Sequence, residues 1–225
     1  MSDGHRPPGR LIVLEGADGV GKTTQAALLV ERMRASGRPV LPLREPGGTP
    51  LGDELRALLL DPGRDVAPAA EAMLFMAARA QLVRRVIQPA LARGALIVLD
   101  RFFLSTYAYQ VAGHGLPEAA VRAANSVAVA GVVPDLTLLF EYPARDGLGR
   151  AEPATIAGDR MHAMGAEFQA RVVAAFAGYA HSGWQREHPE CGPIVAIDAS
   201  GSVDQVAGRV AAAVGRWEAE QIARN

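Results

Sequence analysis

The sequence predicts an α/β fold of three layers, in which a parallel sheet of about five strands lies between helices. Short runs rich in β-branched and aliphatic residues alternate with longer helical stretches, and the runs at 95–99 and 136–140 are apolar at nearly every position. Strands covered on both faces need no polar face, so such runs are typical of a parallel sheet. The predicted strands lie near 11–15, 39–43, 95–99, 135–140 and 193–198, and a last helix spans about 203–222.

A glycine-rich segment directly follows the first predicted strand and opens a helix. It reads GADGVGKT over residues 16–23, which is the phosphate-loop pattern G-x-x-x-x-G-K-[ST]. Glycines let successive backbone N–H groups converge on phosphate oxygens, and the helix N-terminus adds positive potential. We therefore predict a P-loop NTPase fold that binds a nucleoside triphosphate, with Lys22 on the outer phosphates and the Thr23 hydroxyl on Mg²⁺. The predicted triphosphate-binding residues are Gly16, Ala17, Asp18, Gly19, Val20, Gly21, Lys22, Thr23 and Thr24.

Size and composition bound the rest of the molecule. The 225 residues, 49% of them hydrophobic, can bury one large core without a linker, so we predict one domain over 1–225 with a flexible leader at 1–9. Lys plus Arg number 23 against 24 Asp plus Glu, a balance that argues against nucleic acid or an anionic membrane as partner. Cys191 is the only cysteine, and neither a signal peptide nor a membrane span is apparent, so we predict a cytoplasmic protein.

Charged residues follow four of the predicted strands. Glu15 ends the first strand, Arg44-Glu45-Pro46 follows the second, Asp100-Arg101 the third and Glu141 the fourth. In parallel sheets, ligands bind beyond the carboxyl ends of the strands. We therefore expect the functional residues to gather at that edge.

Three further segments, taken with the phosphate loop, resemble the thymidylate kinase family, whose members phosphorylate dTMP to dTDP. They read REPGGT at 44–49, LFMAARAQ at 74–81 and DRFFLSTYAYQ at 100–110. Their order and intervals match as well, and the resemblance covers about residues 10–200. It implies a kinase that takes Mg²⁺-ATP and dTMP as substrates. It also implies a homodimer, for which the alanine-rich helix at 117–131 could supply the interface or could simply pack in the core.

The segment after the second strand has two readings. Pro46 lacks a backbone donor and the following glycines release the chain, so an ordinary turn accounts for its composition. The resemblance implies that Glu45 and Pro46 touch the acceptor nucleotide and that a cis peptide bond joins them. It also implies that Arg56 helps to hold the acceptor phosphate, although an exposed helical arginine explains that residue equally well.

Phe75 and Arg79 are four residues apart in a helical stretch, so they project from the same helix face. A core phenylalanine and a solvated arginine are the simplest explanation. Such a pair can also bind a base, because the ring stacks on a pyrimidine while the guanidinium donates to its carbonyl oxygen. The resemblance implies this second role, with thymine as the base.

The segment after the third strand carries the other predicted contacts. The resemblance implies that Arg101 grips the acceptor phosphate, and Asp100 is expected near the metal, either directly or through water. Thr106 and Gln110, four residues apart, are candidates for the polar edge of the base. By resemblance, Tyr109 packs against the deoxyribose where a 2′-hydroxyl would project.

The stretch at 142–158 is rich in Gly, Pro and Ala, a composition typical of a mobile loop. The resemblance implies that it is a lid, which brings arginines to the transferred phosphoryl group. Arg150 lies inside it and Arg160 just beyond it, and the sequence leaves open which of the two is catalytic. We expect His162 to be solvated.

Asp18 stands in the phosphate loop where some family members carry a catalytic arginine, so the lid must supply that charge. We expect Asp18 to accept a hydrogen bond from the 3′-hydroxyl of the acceptor or to assist the metal. Two other functions remain open at this point, a kinase for another nucleoside monophosphate and a nucleotide-dependent switch. The predicted catalytic residues are Asp18, Lys22, Arg101, Arg150 and Arg160.

Overall fold

The computed structural model describes residues 9–142, 161 and 164–224. The predicted leader and lid lie outside this range except for Gly9 and Tyr142. Arg150, Arg160 and His162 also lie outside the described residues.

The central sheet confirms the predicted strands. They are β1 (Arg10–Gly16), β2 (Val40–Arg44), β3 (Leu96–Asp100), β4 (Leu136–Glu141) and β5 (Ile194–Asp198), each within one residue of its predicted bounds. All the strand pairs are parallel, and the order across the sheet is β2-β3-β1-β4-β5. The phosphate loop leaves the sheet from its central strand.

Helices cover both faces of this sheet. In the described residues they are α1 (Lys22–Ala35), α2 (Pro50–Leu60), α3 (Pro68–Leu82), α4 (Gln88–Ala92), α5 (Phe103–Thr106), α6 (Glu118–Val129), α7 (Ala166–Tyr179), α8 (Ser182–Glu187) and α9 (Val203–Arg224). A π-helical segment, Val83–Ile87, joins α3 to α4, and a second one, Tyr107–Gly113, continues α5. None of the described helices combines the length and the apolar character that crossing a membrane requires.

Alternate residues of β1 enter two different cores. Leu11 and Val13 pack on the face covered by α3, α7 and the two π-helical segments. Ile12 and Leu14 pack on the opposite face, beneath α1 and α9. Since successive side chains of a strand point to opposite faces, both sets must be apolar, and this explains why the strand sequences hardly alternate. The three-layer arrangement is therefore confirmed.

The carboxyl ends of β1, β2 and β3 lie side by side. Leu14 pairs with Asp100 across β1 and β3, and Arg44 pairs with Asp100 across β2 and β3. The Glu45–Pro46 peptide bond is cis, as the resemblance implied. The phosphate loop after β1, the segment after β2 and the segment after β3 therefore leave the sheet at one edge.

Candidate active site

A cleft of about 510 Å³ opens at this edge of the sheet. Every acceptor-binding residue predicted from the sequence lines this cleft. Six of the nine predicted triphosphate-binding residues line it as well, including Asp18, which belongs to both sets. The other three, Gly16, Ala17 and Val20, do not. Val20 instead packs in the core beneath α1. The predicted residues that line the cleft are Asp18, Gly19, Gly21, Lys22, Thr23, Thr24, Glu45, Pro46, Arg56, Phe75, Arg79, Asp100, Arg101, Thr106, Tyr109 and Gln110.

Close backbone approach shapes the phosphate loop. Gly16 has φ 143°, and a Cβ atom there would lie 2.5 Å from the Phe140 carbonyl oxygen, so no larger residue fits. The loop ends at Gly21, which has φ 89°, and α1 begins at Lys22. Gly19, Gly21 and Lys22, where the loop passes into this helix, line the cleft, and the positive end of a helix suits a bound phosphate.

The ammonium of Lys22 is held over the loop. Its Nζ donates to the Ala17 carbonyl oxygen at 2.6 Å, and the residue is only 6% exposed. Burial, and the nearby charge of Arg101, lower the pKa of Lys22 to about 7. Lys22 is also the only lysine in the sequence. A triphosphate bound in the loop would supply a negative partner, which favours the protonated form of Lys22.

Thr23 and Asp100 meet across 77 residues of sequence. The Thr23 hydroxyl donates to Asp100 Oδ2 at 2.6 Å, while Asp100 Oδ1 is buried without a hydrogen-bond partner in the described part of the chain. A carboxylate oxygen left in this state fits a cation, and hydroxyl and carboxylate oxygens are ligands that Mg²⁺ prefers. The predicted metal residues therefore form a suitable donor set.

Arg101 adopts a backbone conformation that is rare outside glycine, with φ 71°. Such strain is tolerated where neighbours hold the residue, often at functional sites. Its Nη1 donates to Ser105 Oγ at 2.9 Å and to the Gly16 carbonyl at 3.2 Å, and its Nη2 pairs with Asp18. The guanidinium is thereby fixed between the phosphate loop and the acceptor side of the cleft.

Asp18 is engaged through both carboxylate oxygens. Arg101 pairs with Oδ1, and the Tyr109 hydroxyl donates to Oδ2 at 2.6 Å. Burial, followed by the charge of Asp18, raises the pKa of Tyr109, so the phenol stays protonated and keeps this hydrogen bond. The structure thus brings together three predicted residues from two separate segments, with the Arg101 guanidinium 5.3 Å from the Tyr109 ring centre.

Glu15 is a residue behind the cleft that the site prediction did not include. It is fully buried and accepts from the backbone N–H groups of Phe102 and Ser105 and, at 2.6 Å, from the Ser105 hydroxyl. It therefore holds the turn that presents Arg101. The sequence did contain a signal for this residue, because a carboxylate at the end of an otherwise apolar strand must find hydrogen-bond donors. The sequence did not indicate which residues supply those donors.

Arg79 is almost completely buried, at 2% exposure, and every N–H group of its guanidinium faces a protein acceptor. Nε and Nη2 both contact Glu45 Oε2, at 2.7 and 2.6 Å, and Nη2 also donates to the Phe102 carbonyl. Nη1 donates to Thr106 Oγ1 at 2.8 Å and to Asn125 Oδ1 at 2.7 Å. The solvated arginine considered for this position is therefore excluded, and contact with the base stays a prediction.

The ion pair with Glu45 also gives Arg79 a structural role. Burial raises the pKa of Glu45, and Arg79 opposes that shift. Removing Arg79 would leave a buried carboxylate unpaired, which typically costs about 3–5 kcal/mol. An Arg79 substitution therefore tests stability and base binding together. Asn125, the partner on α6, had no signal in the sequence, and neither did the cleft residues Leu60 and Met161. Arg44 and Ser105 also line the cleft; they lie in segments that the sequence singled out, but no role was predicted for them.

The remaining predicted residues have local partners. Arg56 Nη1 donates to the Pro46 carbonyl at 3.1 Å, which fixes the turn after β2. Phe75 lies in the cleft wall four residues before Arg79 on α3.

The thiol of Cys191 is buried, and burial raises its pKa, so it is not a reactive group.

The chain is similar to known proteins over most of its length. A family model described as thymidylate kinase matches residues 14–207. A thymidylate kinase of Synechococcus sp. (strain JA-2-3B'a(2-13)) is 47% identical over 199 residues, covering 88% of this chain and 91% of its own. A thymidylate kinase of Rhodopirellula baltica is 40% identical over 208 residues, covering 92% and 81%.

A solved structure agrees with these matches. The crystal structure of thymidylate kinase from Ehrlichia chaffeensis superimposes with a TM-score of 0.71 at 27% sequence identity, covering 92% of this chain and 100% of that one. The matched range includes the phosphate loop, Glu45–Pro46, the α3 face and the turn after β3. The chain therefore belongs to the thymidylate kinase family.

Proposed function

We propose that the chain transfers the γ-phosphoryl group of ATP to dTMP, giving ADP and dTDP, with Mg²⁺ held beside the phosphate loop. One observation carries this proposal: a single cleft is lined by Lys22 and Thr23 of the phosphate loop, by Phe75 and Arg79 on one face of α3, and by Arg101. A nucleotide-dependent switch is not favoured, because the curated relatives are kinases of a small nucleotide.

Phosphoryl transfer at this site needs positioning and charge neutralisation. An oxygen of the dTMP phosphate attacks the γ-phosphorus, and the bond to the bridging oxygen breaks so that ADP leaves with the electron pair. The attacking oxygen is already ionised, so the step requires no general base. Mg²⁺, which Thr23 and Asp100 would hold, neutralises charge on the phosphates when bound. The Lys22 ammonium stabilises the negative charge that develops on the leaving group.

On the acceptor side, we propose that Arg101 grips the dTMP phosphate while its pairing with Asp18 keeps the guanidinium in place. Phe75 stacks on the thymine, and the Tyr109 ring closes the space where a 2′-hydroxyl would project. Asp18 is proposed to meet the 3′-hydroxyl, and Arg56 to stay near the acceptor phosphate. Support comes from the position of all these side chains in the lining of one cleft.

We further propose that Arg150 and Arg160 belong to a closing lid and act on the rate more than on acceptor affinity, since they engage after closure. Met161, which directly follows Arg160, lines the cleft, and this supports the proposal. We expect Arg150→Ala or Arg160→Ala to lower kcat in steady-state kinetics. If both variants keep the wild-type kcat, the lid assignment is wrong.

We also propose a cytoplasmic homodimer. Val127 on α6 is 79% exposed and Met73 on α3 is 60% exposed, although the two helices pack together. Large apolar side chains on adjoining helices suit a second copy of the chain. A monomer mass in sedimentation at micromolar concentration would exclude it.

The order of acceptor preference tests the proposed function. We expect kcat/KM to fall from dTMP to dUMP by about ten- to a hundredfold, because one methyl group in an apolar pocket contributes about 1–3 kcal/mol. We expect dCMP to be lower than dTMP by about a thousandfold or more, because its base edge presents a donor where thymine presents an acceptor. Steady-state kinetics with the three monophosphates measures both ratios. Absence of dTMP turnover would refute the function, and equal rates for dUMP and dCMP would refute base reading.

A further inference from the structure

A third side chain shares the helix face that lines the base side of the cleft. Glu71, Phe75 and Arg79 follow one another at intervals of four residues along α3, so they form one stripe. Phe75 and Arg79 reach the cleft, while Glu71 lies one turn earlier and is fully buried. A carboxylate is expensive to bury without donors. No step of the proposed transfer uses it.

Two groups that contact Glu71 in the described residues come from the π-helical segment Tyr107–Gly113 and the residue after it. Gln110 Nε2 donates to Glu71 Oε1 at 3.0 Å, and His114 Nε2 lies 3.0 Å from the same oxygen. The His114 ring also packs on Phe168, with their centres 4.9 Å apart. Gln110 is 2% exposed and lines the cleft. Glu71 therefore contacts a residue of the base pocket without reaching the cleft itself.

This contact determines which end of the Gln110 amide faces the cleft. An ionised carboxylate only accepts hydrogen bonds, so it selects the NH₂ end of the amide. The carbonyl oxygen is then the end left to face the ligand. Thymine and uracil carry a donor, N3–H, on their pairing edge, whereas N3 of cytosine is an acceptor. An amide carbonyl in this position accepts from the first two bases and repels the third.

We propose that Glu71 is a positioning residue for base selection, which orients the Gln110 amide so that its carbonyl accepts from N3–H of the acceptor base. The inference rests on the proposed function and deepens it. It gives a role in base selection to a residue outside the cleft, which acts through Gln110, already a candidate for the polar edge of the base. It also explains why an ionisable side chain is buried behind the pocket.

The substitution Glu71→Gln tests this with little change of shape. A neutral amide at position 71 can donate as well as accept, so Gln110 can turn its NH₂ end toward the cleft, where it matches cytosine N3. We expect the ratio of kcat/KM for dUMP to that for dCMP to fall by about tenfold or more. These two substrates both lack the methyl group, so the ratio isolates the pairing edge from the methyl pocket.

A variant without the amide supplies the control. Gln110→Met keeps the length of the side chain and removes both hydrogen-bonding ends, so it should lower the same ratio by itself. In the double variant, Glu71→Gln should then change the ratio no further, because its effect passes through Gln110. A role of Glu71 in packing alone would lower both rates together and leave the ratio unchanged.

The outcomes separate this inference from the function on which it rests. If the wild-type protein does not phosphorylate dTMP, the function fails. If it does, but Glu71→Gln folds with a wild-type ratio, the positioning role is overturned. Should Glu71→Gln not fold, as judged by its thermal unfolding, Glu71→Asp decides, because it keeps the carboxylate but withdraws it from Gln110 Nε2: a wild-type ratio overturns the inference and a lowered ratio supports it.

Discussion

Lys22→Ala lowers kcat for dTMP phosphorylation by about a thousandfold or more, while the protein stays folded. The ammonium sits over the phosphate loop and is almost fully buried, so its charge acts on the transferred group in a water-poor site. A preorganised cation in such a place contributes several kcal/mol to the transition state, and about 1.4 kcal/mol corresponds to a tenfold change in rate. Steady-state kinetics and circular dichroism of the purified variant measure the two quantities. Wild-type turnover in the folded variant would refute the role of Lys22.

The same residue predicts a pH dependence of ATP binding. Its pKa is lowered to about 7 in the free protein, and the negative charge of a bound triphosphate favours the ammonium and raises this pKa. Above pH 7 the free amine is neutral, so ATP binding must take up a proton and its affinity falls as the pH rises. Because Lys22 is the only lysine, lysine-selective isotope labelling yields one side-chain NMR signal. A pKa that is the same with and without ATP would contradict this prediction.

Arg101→Ala and Arg101→Gly each lower kcat/KM for dTMP by about a hundredfold or more, because a bidentate contact with the acceptor phosphate is lost. The two variants should be equally inactive but differ in stability. At φ 71° glycine is unstrained and alanine is not, so we expect the glycine variant to have a free energy of unfolding about 1 kcal/mol higher. Steady-state kinetics and urea unfolding test the two expectations separately.

A matched arginine elsewhere provides the control. Arg38 forms an ion pair with Glu218 at 2.7 Å, partly exposed and not among the residues that line the cleft. Arg38→Ala removes the same type of group and should leave kcat/KM unchanged, with a loss of stability below about 1 kcal/mol. If Arg101→Ala also keeps wild-type kcat/KM, Arg101 serves only to neutralise Asp18 and does not grip the acceptor.

Local patterns accounted for the strands, the phosphate loop and the placement of Phe75 and Arg79 on one helix face. The strands were predictable because continuous apolar runs of this length suit strands covered on both sides, and the sheet confirms each of them. The phosphate loop was predictable because its glycine spacing has a backbone cause, seen at Gly16 and Gly21. Phe75 and Arg79 were predictable as a pair because helical geometry alone puts them on one face.

Which side chains pair with each other was decided by the tertiary structure. Arg79 meets Glu45 across 34 residues and Asn125 across 46, and Glu71 meets Gln110 across 39. Nothing within any one segment distinguishes these partners from other polar residues, because a hydrogen bond needs its two atoms within about 3 Å. Distances of that kind depend on how α3, α6 and the turn after β3 pack against each other. The sequence by itself determined the elements and the edge of the sheet where function lies, and the packing of those elements decided how each buried charge is satisfied.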